Sequence, residues 1–429
     1  MVHLWLSALL SLFAGNAAQA APLNLRDAIL YAAKNSPALD SAEREALIIS
    51  LEKRSAGAAF LPTLDLNSTH GLRKTFPRTE TNPWVSSLSL DLNETLYDNG
   101  QSITRFRTAK LREEESRIRF LQTRDRLFLE IALEFYRHGQ AVKNFEIQKE
   151  QHEVLRKQYQ LTESGYRQGI KTRKDFLRFK TQLSRSEIDL VNSSENVNRS
   201  RQELRRLLGV PLASADQPDF VVDESKPRQV EPAQIPLEGH RDYEISQIQE
   251  KIDRLEEIQS RRRLWPELSL TAGASYGSSG YIGPGSGRFT ERDSANWNAS
   301  LGLKYNLLDW GTRSRDAQIA FERREIAGNT RTNQLLSLRL ELDRLTTDFR
   351  QLKENFRLGE ELLNLERRNF EVLASDYRQG KADYLDYITS LRELAAAKTS
   401  YYSSLFDLKR GILSQKFHQG TLYETILGD

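Results

Sequence analysis

At 429 residues, with 28% charged side chains and 62 Lys plus Arg against 59 Asp plus Glu, the chain is long enough for two or three ordinary domains and carries no strong excess of either sign. The charges are interspersed along helical stretches and read as solvated helix faces, so no nucleic-acid partner is expected. Cysteine is absent, the six histidines (3, 70, 138, 152, 240, 418) lack metal spacing, and neither a phosphate-binding glycine loop nor a nucleophile elbow occurs, so no disulfide, lipidated Cys, metal, cofactor or enzyme chemistry is expected.

Residues 1–20 hold an apolar run, Leu4 to Phe13, that ends in Ala18-Gln19-Ala20, a small-x-small pattern that predicts export and a mature start at Ala21. No later stretch reaches the roughly 18 consecutive apolar residues of a membrane helix. If the mature protein spans a membrane, it does so as strands.

Leu25 to Ala59 reads as a first helix, with Asn24 placed to cap it and Pro37 as an interior flaw. After Pro62 the period changes to two. Phe60, Leu64 and Leu66 alternate with Thr63, Asp65 and Asn67; then Trp84, Leu88, Leu90, Leu92 and Leu96 face one way while Ser87, Ser89, Asp91 and Asn93 face the other. A long helix from Gln101 to Gly165 follows. Its returning partner shows Phe176, Leu183, Leu190, Val197 and Leu204 at strict sevens. Residues 209–236 hold five of the twelve prolines and read as a linker.

The second half repeats the first. Glu238 to Arg263 leads into Leu264, Leu268, Leu270 and Ala272 alternating with polar residues, a Gly/Ser-rich loop from Gly277 to Gly287, and a fourth strand in which Trp297, Ala299, Leu301, Leu303 and Tyr305 alternate with Asn298, Ser300, Gly302 and Lys304. From Thr312 to Asp376 a proline-free helix would extend roughly 100 Å. Its residues Leu335, Leu338, Leu342, Leu345, Phe349, Leu352, Phe356, Gly359, Leu363, Glu366, Phe370, Leu373 and Tyr377 alternate steps of three and four, the seam of a left-handed coiled coil. Tyr384, Tyr387, Leu391, Leu394, Tyr401, Leu405, Leu408 and Ile412 continue that rhythm on the way back.

The tetrapeptide Tyr166-Arg167-Gln168-Gly169 recurs as Tyr377-Arg378-Gln379-Gly380, and the same offset carries Asp98-Asn99-Gly100 onto Asp309-Trp310-Gly311. The chain is therefore a duplication: signal peptide 1–20, first repeat 21–208, linker 209–236 and second repeat 237–429. Strands apolar on one face and polar on the other, with tryptophan near an end, have the pattern of a membrane barrel wall. Four strands cannot close a barrel alone, so the chain must oligomerise; three copies supply about twelve strands and leave room for a pore.

With the duplicated order, the Asp-x-Gly after each second strand, the Tyr-x-x-Gly turns followed by an Asp, and Leu-Leu-Gly-Val-Pro at 207–211, the chain resembles the TolC family of outer-membrane efflux proteins over essentially its mature length. The resemblance implies a mainly α protein with a membrane β-barrel. Two tandem long antiparallel helical hairpins and four strands per chain would assemble as a homotrimer, a twelve-strand barrel continuous with a twelve-helix periplasmic tunnel. It implies an outer-membrane location in lipid, a periplasmic adaptor and an inner-membrane pump as partners, and service as the duct of an efflux or type I secretion system. A periplasmic coiled-coil adaptor or scaffold is the alternative. Carried over by position, Tyr377 and Asp175 match the entrance latch and Asp386 the constriction ring, and both Tyr-Arg-Gln-Gly turns match the adaptor-docking tips. Ala382 and Thr389 stand where a latching arginine and a second ring carboxylate occur, with Lys171, Lys174 or Lys381 as possible substitutes for the arginine. Each residue also has a plain structural reading: Tyr377 as seam packing, Asp175 and Asp386 as helix-start acids, Gly169 and Gly380 as turn residues.

Overall fold

The computed structural model describes residues 23–72, 81–210, 219–227, 235–282 and 289–428; the expected signal peptide and part of the expected linker lie outside these. The chain divides into two units, one of residues 1–42, 121–241 and 336–429, the other of 43–120 and 242–335.

The first expected helix is two. α1 (Leu25–Asn35) ends and α2 (Pro37–Ala58) begins around Ser36, which is extended at ψ 119°. Ring atoms of Pro37 disfavour helical backbone in the residue before it, while proline itself suits the first helical position. Asn24 caps α1 as expected, accepting from Asp27 N–H at 2.9 Å.

Four strands follow the alternation: β1 (Thr63–Gly71), β2 (Thr81–Tyr97), β3 (Glu267–Ile282) and β4 (Phe289–Lys304), one antiparallel sheet in the order β1-β2-β3-β4. The stretch from Gly277 to Ile282, expected as loop, is strand. There β3 pairs with β2 on one side and β4 on the other, which holds glycines that have little strand preference of their own.

Helices α3 (Gln101–Arg167) and α6 (Thr312–Arg378) have 67 residues each, about 100 Å of helix. They return as α4 (Arg173–Leu208) and α7 (Tyr384–His418); α5 (Arg241–Arg262) precedes β3, and a short α8 (Leu422–Leu427) closes the chain. Along α6 the expected seam holds: Leu338, Leu342, Phe349, Gly359 and Leu363 are buried and the other seam positions are partly buried. On α4 only Leu204 of the expected apolar positions is fully buried. Phe179, Ser186, Ser193 and Ser200 are buried at sevens, while Phe176, Leu183, Leu190 and Val197 are half-buried. Each serine Oγ donates to the carbonyl three residues back, at 2.7 to 2.9 Å, so the seam is lined by small residues with their hydroxyls already satisfied. Ser200 Oγ, having spent its proton on Val197 O, accepts from His138 Nδ1 at 2.8 Å; burial, then Arg201, pushes that imidazole down to about 4, so it is neutral.

The expected linker is partly a packed strap. Phe220 is buried in the core formed by α1, α3, α4 and α8, and Leu23 N–H donates to Asp219 O at 2.8 Å. The nearly buried Lys409 ammonium donates to Asp223 O at 2.6 Å, Lys143 pairs with Glu224 at 2.6 Å, and Lys226 pairs with Glu360. Val222 lies so close to α3 that a Cβ on Gly139 would stand 2.6 Å from its Cγ1. Gly139→Leu should therefore cost about 1–3 kcal/mol, the usual penalty of overpacking, read as a lower thermal midpoint in detergent. An unchanged midpoint would mean the strap does not depend on this approach.

Candidate functional site

Each unit contributes one candidate feature. In the first, the two interhelical turns have the same backbone. After α3, Gly169 N–H donates to Tyr166 O at 3.0 Å and Ile170 N–H to Gly165 O at 2.8 Å; after α6, Gly380 N–H donates to Tyr377 O at 3.1 Å and Lys381 N–H to Asp376 O at 2.8 Å. These are Schellman ends, and their glycines sit at φ +76° and +73° with open space where a Cβ would be. The turn requirement thus explains both glycines, and the space around them leaves the surface accessible.

Next to each turn an aromatic pair closes the hairpin. Tyr166 stacks on Phe176 with centroids 5.2 Å apart, and Tyr377 on Tyr387 at 4.8 Å, the same positions of the two repeats. A further contact crosses between the hairpins: Phe179 meets Tyr384 edge-on at 4.5 Å. Leu155, Ile388 and Leu391 complete that cluster.

The candidate acids also occupy equivalent positions. Asp175 and Asp386 are both in the first turn of their helices, where a carboxylate is favoured by the unsatisfied N–H groups. Asp175 Oδ2 accepts from Thr172 Oγ1 at 2.8 Å, while Asp175 N–H donates to Thr172 Oγ1 at 3.1 Å. Tyr377 is half-buried, and its phenol is pushed up by burial first and by the Asp175 carboxylate second. Within one chain Asp175 therefore acts on Tyr377 through its field, not through a hydrogen bond. Asp386 is exposed. Tyr384, Tyr387 and Thr172 are contributors to this cluster that were not among the candidate residues, although Thr-x-x-Asp before a helix signals a cap and the Tyr377, Tyr384, Tyr387 spacing follows the seam.

In the second unit the candidate feature is the sheet. Its register sets Leu66, Leu90, Ala274 and Trp297 side by side on one face and Asp65, Asp91, Gly273 and Asn298 on the other. Trp297 is 82% exposed, Leu301 64% and Leu66 69%, an apolar face that nothing among the described residues covers. β2, β3 and β4 have 17, 16 and 16 residues, more than the 9–11 or so that cross a bilayer. Among the described residues no helix is long and apolar enough to cross a membrane.

Each long helix starts from an Asp-x-Gly turn. Asp98 Oδ2 accepts from Ser102 N–H at 2.6 Å, and Asp309 Oδ2 from Arg313 N–H at 3.2 Å and Nε–H at 2.6 Å. Hydrogen bonding by Arg313 holds the Asp309 carboxyl below its usual range.

A half-apolar antiparallel sheet feeding duplicated coiled-coil hairpins defines an outer-membrane duct with a helical extension. The chain belongs to the outer membrane efflux protein family, whose sequence profile matches residues 29–210 and 254–403. Among solved structures it is similar to the CmeC outer membrane channel of Campylobacter jejuni (TM-score 0.80, 16% identity, 93% of this chain and 86% of that one). It is also similar to the outer membrane protein VceC of Vibrio cholerae (0.73, 17%, 94% and 96%) and to the open state of the MtrE outer membrane channel of Neisseria gonorrhoeae (0.71, 16%, 94% and 89%). No curated protein sequence matches. The protein is an outer-membrane duct of tripartite efflux systems with a periplasmic helical extension, and the alternative of a periplasmic adaptor or scaffold falls away.

Proposed function

We propose that three copies of the chain form one duct, a barrel of about twelve strands continuous with about twelve helices. It takes cargo from an inner-membrane pump through a periplasmic adaptor and releases it outside without a catalytic step. The observation that carries this reading is the pair of open edges, β1 and β4, on a sheet with one exposed apolar face. Lipid leaves no partner for such edges, so they must meet those of another copy.

The duplication supports the same closure. Asn99 of the first repeat donates to Pro266 O of the second at 2.7 Å. Its counterpart Trp310 is 80% exposed, at a strained φ of +55°, and Pro62, the counterpart of Pro266, is exposed as well. A neighbouring copy would supply to each what the other repeat supplies within the chain.

In this assembly the two Tyr-Arg-Gln-Gly turns, Tyr166 to Gly169 and Tyr377 to Gly380, are the docking tips. Tyr377 with Asp175 holds the entrance, and Asp386 contributes a ring of three carboxylates. The cysteine-free sequence allows a direct test: Thr69→Cys combined in turn with Asn296→Cys, Asn298→Cys and Ser300→Cys should give, for one register, disulfide-linked species up to three chains in outer-membrane fractions. A ladder that stops at two chains, or none in any register, overturns the trimer.

A further inference from the structure

The two turns share a backbone but not a charge. Between 161 and 180 stand six cations and two anions; in the equivalent stretch of the second repeat, 372 to 391, stand two cations and three anions. Internal pairing does not absorb the excess at the first turn. Arg167 is bound by Glu163 at 2.9 Å, and the Asp175 carboxylate is engaged by Thr172. Lys171, Arg173, Lys174 and Lys180 are exposed and, among the described residues, have no carboxylate partner.

Folding does not account for these residues either. Arg173 and Lys174 are the first two residues of α4, where the helix dipole disfavours positive charge. The equivalent positions of α7 are Tyr384 and Leu385. Beside the cations, Ile170 is 73% exposed at the apex of the turn and Leu177 49%. An apolar point ringed by unpaired cations fits a protein surface that offers a small apolar recess rimmed by carboxylates.

We propose that the turn of the first repeat docks an acidic partner, namely the acidic tip of a periplasmic helical hairpin, and that the second turn does not share this preference. This rests on the reading of the turns as docking tips and adds the chemistry of the partner and the asymmetry between the repeats. The cations steer the partner and fix its register; Ile170 supplies the contact that excludes water.

The test uses the full chain in nanodiscs and three probes: a designed helical hairpin with four glutamates at its turn, the same hairpin with four lysines, and phosphatidylglycerol vesicles. The glutamate hairpin should bind and the lysine hairpin should not, with affinity falling steeply as sodium chloride is raised to about 0.5 M. Arg173→Glu with Lys174→Glu should weaken glutamate-hairpin binding roughly tenfold or more, whereas Lys381→Glu on the other turn should change it less than about twofold. Equal binding of both hairpins, equal effects of the two turns, or vesicle capture in preference to the glutamate hairpin each overturns the proposal, the last in favour of an anionic membrane. Single-channel conductance of the same nanodisc-derived protein is recorded in parallel. Its absence would count against the duct reading, while intact conductance with no charge preference counts against the docking proposal alone.

Discussion

Leu301→Arg is expected to remove most of the protein from the outer membrane, whereas Asn298→Arg, three residues away on the same strand, leaves assembly intact. Leu301 is 64% exposed on the apolar face, opposite Leu270 across β3. Asn298 is on the other face, in line with Gly273 and Asp91, where an arginine meets carboxylate and water. An arginine on the lipid face near the bilayer midplane costs about 2–4 kcal/mol, and three copies would multiply that cost in one assembly. Leu90→Arg, on the same face of β2, should behave as Leu301→Arg does. Urea-resistant trimer in outer-membrane fractions is the measurement. Equal loss in the Asn298 and Leu301 variants would mean that the two faces do not differ in what they contact, and the barrel reading would fail.

The same alternation makes the sheet legible in the sequence. Each strand from β2 to β4 is long, and a one-residue slip would exchange Leu90 for Asp91 on the lipid side, so the pattern is strongly selected. The long helices were readable for a similar reason: steps of three and four from Leu335 to Tyr377 leave one packing face. What escaped was packing by residues without apolar character. Ser186, Ser193 and Ser200 occupy the α4 seam because their small side chains permit close approach and their hydroxyls bond back to the helix, and hydropathy has no sign for that. The strap from Asp219 to Pro227 escaped too. Prolines marked it as a linker, but its ion pairs with Lys143, Lys409 and Glu360 join residues far apart in sequence. For the proposed entrance, the family resemblance pointed to Tyr377, Asp175 and Asp386. It did not reveal that Asp175 is held by Thr172, or that Tyr166 stacks in the first hairpin as Tyr377 does in the second.

That equivalence sharpens the test of the gate. Stacking on the residue at 387 or 176 is common to both hairpins, so it cannot be what distinguishes Tyr377; the nearby Asp175 carboxylate can. If the entrance is held by a phenol donating to that carboxylate in the assembled duct, each such charge-assisted bond is worth on the order of 1.5–3 kcal/mol, and three act together. Tyr377→Phe preserves the ring stack and removes only the hydroxyl. Tyr377→Leu removes the stack as well, a further 0.5–1.5 kcal/mol or so. Tyr377→Phe combined with Asp175→Ala should therefore raise resting conductance in planar bilayers several-fold, nearly as far as Tyr377→Leu does, because the hydrogen bond carries the larger share. Asp175→Ala alone should match the double variant, since either substitution breaks the same bond. The opposite pattern, a silent Tyr377→Phe beside an open Tyr377→Leu, would assign the gate to the aromatic stack that Tyr377 makes with Tyr387 and leave Asp175 as a first-turn acid that supports the Thr172 cap.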